Sequence, residues 1–130
     1  MQGGRNPLRL LIADDNQIMR IGLRILLRER PDWDICGDAA NGREAISKVS
    51  ELSPDVVLLD VAMPIMNGFE AAKEIRRIAP ATKLVFISMY DLPVTAALVG
   101  ADAFVSKAAL TQELFATIER VMGLSQQLPS

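Results

Sequence analysis

The chain has 130 residues, 50% hydrophobic and 23% charged, which fits one globular domain with its own core and argues against a disordered chain. The formal net charge is −2, without a cluster of lysine or arginine, so this segment offers no electrostatic surface for nucleic acid or membrane lipid. Histidine is absent, which excludes Ser-His-Asp and Cys-His catalysis, histidine metal ligands and phosphohistidine within the chain.

Cysteine usage and hydropathy restrict the cellular setting. The single cysteine, Cys36, cannot form an internal disulfide, and its apolar neighbours predict a buried structural thiol. No apolar stretch approaches the ~20 residues of a membrane span, and residues 1–7 do not resemble a signal peptide. We therefore expect a cytoplasmic protein that does not enter a membrane.

Short apolar runs alternate with helical patterns along the whole chain. The runs predict strands at 8–13, 33–37, 56–59, 84–87 and 103–105. The helical patterns follow each strand: one ends near residue 30, one runs from Asn41 to Pro54, one ends at Pro80, a short one covers 94–99, and one runs from Thr111 to Gly123.

The sequence also indicates the buried face of the first helix and the residues that begin or end the first and last helices. The first helix is expected to bury one apolar stripe, made of Ile18, Ile21, Leu23, Ile25, Leu26 and Leu27. At least one of Asp14 and Asp15 could cap that helix, which is the alternative to a functional role for the pair. Thr111 is expected to cap the last helix, and Gly123 to end it.

Five consecutive β-α units predict an α/β fold in which a parallel sheet carries helices on both faces. We expect a doubly wound, flavodoxin-like sheet of five strands in the order 2-1-3-4-5, with the switch point between strands 1 and 3. The domain spans residues 8–123, between an N-terminal tail, 1–7, and a C-terminal segment, 124–130, that reads as a tail or the start of a linker to an output domain.

Polar residues directly follow four of these strands. Asp14 and Asp15 follow the first, Asp60 the third, Ser88 the fourth and Lys107 the fifth. The carboxyl ends of parallel strands meet at one edge of the sheet, so these side chains are expected to converge there. Three carboxylates repel one another unless a cation lies between them, and Mg²⁺ suits such oxygen ligands.

Asp60 is the candidate nucleophile of this cluster. A carboxylate can accept a phosphoryl group as an acyl phosphate, and phosphoryl transfer needs mainly positioning and charge neutralisation. Lys107 can supply a positive charge, and the hydroxyl of Ser88 can donate to a phosphoryl oxygen. Each of these residues taken alone would be read as a helix cap or an ordinary surface residue. Their placement at four strand ends favours the functional interpretation.

The segments 11–15 (LIADD) and 58–68 (LLDVAMPIMNG), followed by Ser88 and Lys107, resemble the response-regulator receiver domain of two-component signalling. The resemblance covers residues 8–123. It implies a phosphoacceptor that takes a phosphoryl group from a histidine kinase onto Asp60 with the help of Mg²⁺. The proline common after the family's lysine is replaced by Ala108, as in the branch with a LuxR-type helix-turn-helix output.

The resemblance also implies a ligand set for the metal. Asp15 and Asp60 would bind Mg²⁺ directly, together with the backbone carbonyl of Ala62, and Asp14 would act indirectly.

A switch is implied as well. Ser88 would move toward the phosphoryl group and let Phe104 turn inward, which would reshape the face formed by the fourth helix, the fifth strand and the last helix (α4-β5-α5). A plain core aromatic is the alternative for Phe104. The stretch 88–107 is also about three residues shorter than is usual in the family, close to one helical turn, which predicts a shortened fourth helix in that face.

The expected partners are a sensor histidine kinase and a phosphorylation-dependent second copy, with DNA reached only through a further domain. No enzymatic turnover is expected beyond self-phosphorylation and autodephosphorylation on Asp60. The alternatives are a stand-alone receiver that binds another protein and a module that works without phosphorylation. A hydrolase would want a second acid where Ala62 stands, and a Rossmann domain a glycine-rich turn after the first strand.

Overall fold

The computed structural model describes residues 7–89 and 100–124. Its strands are β1 (Leu8–Ala13), β2 (Trp33–Ala39), β3 (Val56–Asp60), β4 (Lys83–Ser88) and β5 (Ala103–Ser106). They form one parallel sheet in the order β2-β1-β3-β4-β5, which confirms the predicted doubly wound topology. Because β1 and β3 are neighbours, the switch point lies between the strands that end near Asp14 and at Asp60.

The described helices are α1 (Gln17–Leu27), α2 (Gly42–Leu52), α3 (Gly68–Ile78) and a C-terminal helix (Leu110–Val121). A 3-10 turn, Lys107–Ala109, connects β5 to the C-terminal helix. The helix expected at 94–99 lies outside the described residues, as do 1–6 and 125–130. Within the described part of the chain, no helix has the length and apolarity needed to cross a bilayer.

The sheet separates two apolar clusters, one on each face. Successive residues of a strand pack into different clusters, as Leu10 and Leu11 of β1 illustrate. One cluster lies under α2 and α3, and the other lies under α1 and the C-terminal helix. All five residues of β3 are buried. Coverage of both faces explains why the strands read as continuous apolar runs instead of alternating patterns.

The expectation for the buried face of α1 was wrong in part. Leu23 and Leu27 are buried, but Ile18, Ile21 and Ile25 are 77%, 47% and 55% exposed. Ile18, Ile21 and Ile25 are spaced three and four residues apart, which makes them a separate stripe at helical periodicity. The helix therefore carries two apolar stripes, and only one of them faces the sheet.

The expected caps of two helices were also wrong. Asn16 caps α1 by accepting a hydrogen bond from the backbone N–H of Met19 at 3.0 Å, which leaves neither Asp14 nor Asp15 in that role. The C-terminal helix starts at Leu110 without a side-chain cap, because the preceding 3-10 turn already leads the chain into it. The helix ends as expected, since Gly123 follows it with a φ of 70°.

Cys36 lies on β2 as a free thiol and is only partly buried, but its contacts fit the predicted structural role. Its thiol donates a hydrogen bond to the carbonyl oxygen of Leu10 at 3.4 Å. Burial raises the pKa of the thiol, which disfavours the reactive thiolate.

Candidate functional site

The ends of β1 and β3 bring three carboxyl groups together. Oxygen atoms of Asp14, Asp15 and Asp60 all lie within 4.8 Å of one another. Asp14 and Asp60 are buried, at 2% and 5% exposure, whereas Asp15 is exposed. Two of the three carboxylates are thus shielded from the water that would weaken their repulsion.

Lys107 reaches this cluster from the 3-10 turn after β5. Its Nζ lies 3.1 Å from Oδ2 of Asp14 and 3.5 Å from Oδ1 of Asp60. One ammonium therefore faces two buried carboxylates directly. It can offset only part of the negative charge in the cluster.

Burial and charge shift the ionisation of the two contacting groups. Burial, followed by the negative charge of Asp14, raises the pKa of Asp60 to about 6, against the opposing effects of Lys107 and of the Ala62 backbone N–H. Burial lowers the pKa of Lys107, but its hydrogen bond and charge interaction with Asp14, and those with Asp60, leave it above its ordinary value. The lysine stays charged, and Asp60 is ionised near neutral pH at an energetic cost.

Asp14 is held through all of its polar atoms. Its N–H donates to the carbonyl of Ala39 at 2.9 Å, and its Oδ1 accepts from the N–H of Asn16 at 2.9 Å. Its carbonyl oxygen accepts from Nη1 of Arg20 at 2.5 Å, and Oδ2 faces Lys107. In the described part of the chain, no hydrogen bond or ion pair engages the carboxylate of Asp15.

The donor set fits a hard divalent cation. Carboxylate oxygens are the ligands that Mg²⁺ prefers, and Mg²⁺ needs only a few from the protein because it keeps several waters. The exposed carboxylate of Asp15 is available for such a bond, whereas that of Asp14 is already engaged on both oxygens. Asp14 is thus better suited to an indirect role than Asp15.

Two Asn-Gly pairs support the loop after Asp60, and the sequence reasoning missed the role of both glycines. Gly68 donates its N–H to the carbonyl of Val61 at 2.8 Å, and a Cβ at Gly68 would lie 2.2 Å from the carbonyl oxygen of Asp60. Gly42 donates to the carbonyl of Met66 at 2.9 Å, and a Cβ there would lie 2.4 Å from that oxygen. Both glycines are required by close backbone approach.

The asparagine of each pair caps the helix that its glycine begins. Asn41 accepts from the N–H of Glu44 at 2.8 Å, and Asn67 accepts from the N–H of Glu70 at 2.9 Å. Asn67 and Glu70 form a complete capping box. The sequence feature that could have revealed this support is therefore an Asn-Gly pair at a helix start. The asparagine caps the helix, and the glycine lets its backbone contact the loop.

The side chains expected to switch lie on β4 and β5. Ser88 is 2% exposed at the end of β4 and is paired in register with Ser106, while Asp60 is paired with Ile87. Phe104 is partly buried against the apolar cluster under α2 and α3. Both interpretations of Phe104 are compatible with this position.

Comparison with known proteins identifies relatives across most of the chain. The family model described as the response regulator receiver domain matches residues 10–119. The response regulator protein VraR of Staphylococcus saprophyticus is 32% identical over 117 residues, which cover 88% of this chain and 56% of VraR. A protein-glutamate methylesterase/protein-glutamine glutaminase of Methanosarcina acetivorans is 44% identical over 82 residues, 63% of this chain and 24% of that protein.

A solved structure extends the comparison to the fold. A DNA-binding response regulator of the LuxR family from Staphylococcus aureus superposes with a TM-score of 0.81 at 32% identity, covering 88% of this chain and 98% of that one. The chain spans only about a quarter to about half of the length of the two curated relatives above. Those relatives carry large regions that this chain does not match.

Replacing Gly68 by alanine should destabilise the protein. The added methyl group would lie 2.2 Å from the Asp60 carbonyl oxygen, and the resulting overpacking should lower the free energy of unfolding by about 1–3 kcal/mol in urea titrations. Gly22→Ala is the matched control, because nothing lies within 4 Å of a Cβ at that exposed helical position, and it should be neutral or stabilising by up to about 1 kcal/mol. Equal effects of the two substitutions would contradict the backbone contact.

Replacing Asp60 by asparagine should stabilise the metal-free protein near neutral pH. The folded protein binds the Asp60 proton more tightly than the unfolded chain does, so this group's contribution to stability is present below about pH 4 and is lost as the pH rises through about 6. At about pH 7 the variant should gain about 2–3 kcal/mol in free energy of unfolding.

Urea unfolding in a chelating buffer measures this gain, and excess Mg²⁺ should reduce it. Asp34→Asn, which removes an exposed carboxylate of β2, is the control and should leave stability nearly unchanged. A metal-free Asp60→Asn protein no more stable than the wild type would show that ionised Asp60 carries no energetic cost.

Proposed function

Because this chain belongs to the response regulator receiver domain family, we propose that Asp60 accepts a phosphoryl group from a partner histidine kinase. The observation that carries the proposal is the buried carboxylate of Asp60, 3.5 Å from Lys107 and grouped with Asp14 and Asp15 at the end of the switch-point strands. This carboxylate lies at the carboxyl edge of the parallel sheet, where such sheets bind their ligands, and its surroundings hold it in one place.

In the transfer step, a carboxylate oxygen of Asp60 attacks the phosphorus of the donor phosphohistidine. A P–O bond forms while the P–N bond breaks, and the electron pair of that bond leaves with the imidazole nitrogen, which takes up a proton. The product is an acyl phosphate. When the signal ends, water attacks the phosphorus and the P–O bond to Asp60 breaks. The products are the free Asp60 carboxylate, inorganic phosphate and a proton.

The residues around Asp60 have separate tasks in this reaction. Lys107 offsets the charge on the phosphoryl oxygens, for which its compact ammonium is suited. Asp15, Asp60 and the backbone carbonyl of Ala62 would hold Mg²⁺, and Asp14 would act on it indirectly. When bound, Mg²⁺ would neutralise the negative charge that accumulates during transfer.

We extend the proposal to the response. Ser88 would donate its hydroxyl to the phosphoryl group, and Phe104 would fill the space that this movement opens, so that the surface around β5 changes. Transcription through a DNA-binding domain elsewhere in the whole protein is the proposed output, supported by the similarity to the LuxR-family regulator. A cytoplasmic location and phosphorylation-dependent pairing of two copies belong to the same proposal.

Incubation with a small acyl phosphate and Mg²⁺, followed by intact-mass measurement, tests the chemistry. The wild type should gain one phosphoryl group, which neutral hydroxylamine should remove because the product is an acyl phosphate. Asp60→Asn and the chelated wild type should gain none. Asp32→Asn, which removes an exposed carboxylate, should behave as the wild type. A gain that survives in Asp60→Asn, or no gain with both the small donor and a phosphorylated kinase domain, would overturn the proposal.

A further inference from the structure

Arg20, near the start of α1, reaches back to the end of β1. Its Nη1 donates to the carbonyl oxygen of Asp14 at 2.5 Å, and its Nε lies 3.8 Å from Oδ2 of Asp38. The Arg20 side chain is only 18% exposed, so the contact is largely shielded from water. Arg24, one turn later on the same helix, contacts the same Asp38 oxygen at 3.3 Å but does not contact Asp14.

The carbonyl oxygen of Asp14 needs a donor of this kind. The pairing of β1 with β2 and β3 ends at Ala13, so this oxygen lies beyond the hydrogen-bond ladder. Asp14 is 2% exposed, and a buried carbonyl without a donor would cost free energy comparable to a lost hydrogen bond. Arg20 supplies that donor, and Asp38 holds the guanidinium from its other side.

The same hydrogen bond orients Asp15. The carbonyl of Asp14 and the N–H of Asp15 belong to one planar peptide group, so fixing the oxygen fixes the direction in which residue 15 leaves the strand. The Asp15 carboxylate makes no contact of its own within the described residues that would orient it. Its position relative to Asp60 therefore depends on this peptide plane.

We propose that Arg20 is a positioning residue for the cation site, acting through the Asp14–Asp15 peptide. The inference rests on the proposed function, because it requires that this site bind Mg²⁺. Simple electrostatics predicts the opposite effect, since an arginine near the site repels the cation and its removal should tighten binding. The sign of the change in affinity therefore separates a positioning role from a charge effect.

Calorimetric titration of Mg²⁺ into the metal-free protein, without any phosphodonor, tests the inference. Arg20→Gln should weaken Mg²⁺ binding by about tenfold, the size of effect typical of residues that orient metal ligands. Arg24→Gln is the matched control, because it removes the same charge from the same helix and breaks a contact with the same carboxylate. It should bind Mg²⁺ as the wild type does, or up to about threefold more tightly.

Arg20→Lys keeps the charge, but its single ammonium cannot hold the Asp14 carbonyl and the Asp38 carboxylate as the fork of arginine does. It should bind Mg²⁺ less tightly than the wild type. If Arg20→Gln does not fold, Arg20→Lys takes its place in the titration. Wild-type affinity in Arg20→Lys, or equal affinities in Arg20→Gln and Arg24→Gln, would overturn the inference. A wild type that binds no Mg²⁺ would instead overturn the proposed function itself.

Discussion

The repulsion among three clustered carboxylates, only partly offset by one lysine, is the constraint on which the rest of the site depends. Asp14 and Asp60 are buried beside each other, and Lys107 lies between them at 3.1 and 3.5 Å. Burial and the charge of Asp14 leave the pKa of Asp60 at about 6 even with the lysine present. The folded chain therefore retains unneutralised negative charge at a fixed place, and this makes the site receptive to a divalent cation.

Rigid support keeps these groups in place despite their repulsion. β1 and β3 are central strands with both faces covered, so the backbone that carries the carboxylates cannot relax away from the cluster. The loop after Asp60 is held on two sides by backbone contacts at Gly42 and Gly68, each preceded by an asparagine that caps a helix. The starts of α2 and α3 thus support the loop that follows Asp60.

The sequence was sufficient for the sheet order and for the convergence of polar residues at one edge, because buried parallel strands are continuous apolar runs with distinct ends. It was insufficient where one sequence pattern is compatible with two different local structures. Ile18, Ile21 and Ile25 are as apolar as Leu23, and periodicity alone does not say which stripe faces the sheet. Likewise, Asp14 and Asn16 are both good caps, and only the path of the chain selects Asn16. The contact of Arg20 with a backbone carbonyl leaves no pattern in the sequence at all.

The measurement that tests the cation site most directly is calorimetric titration of Mg²⁺ into the metal-free wild type and into Asp15→Asn, with Asp34→Asn as the control. Asp15 belongs to the cluster, whereas Asp34 is an exposed carboxylate near the opposite end of β2. We expect saturable binding of one ion to the wild type and to Asp34→Asn, weakened by more than about tenfold in Asp15→Asn. Absence of saturable binding in the wild type, or equal affinity in all three proteins, would contradict a cation site built on these carboxylates.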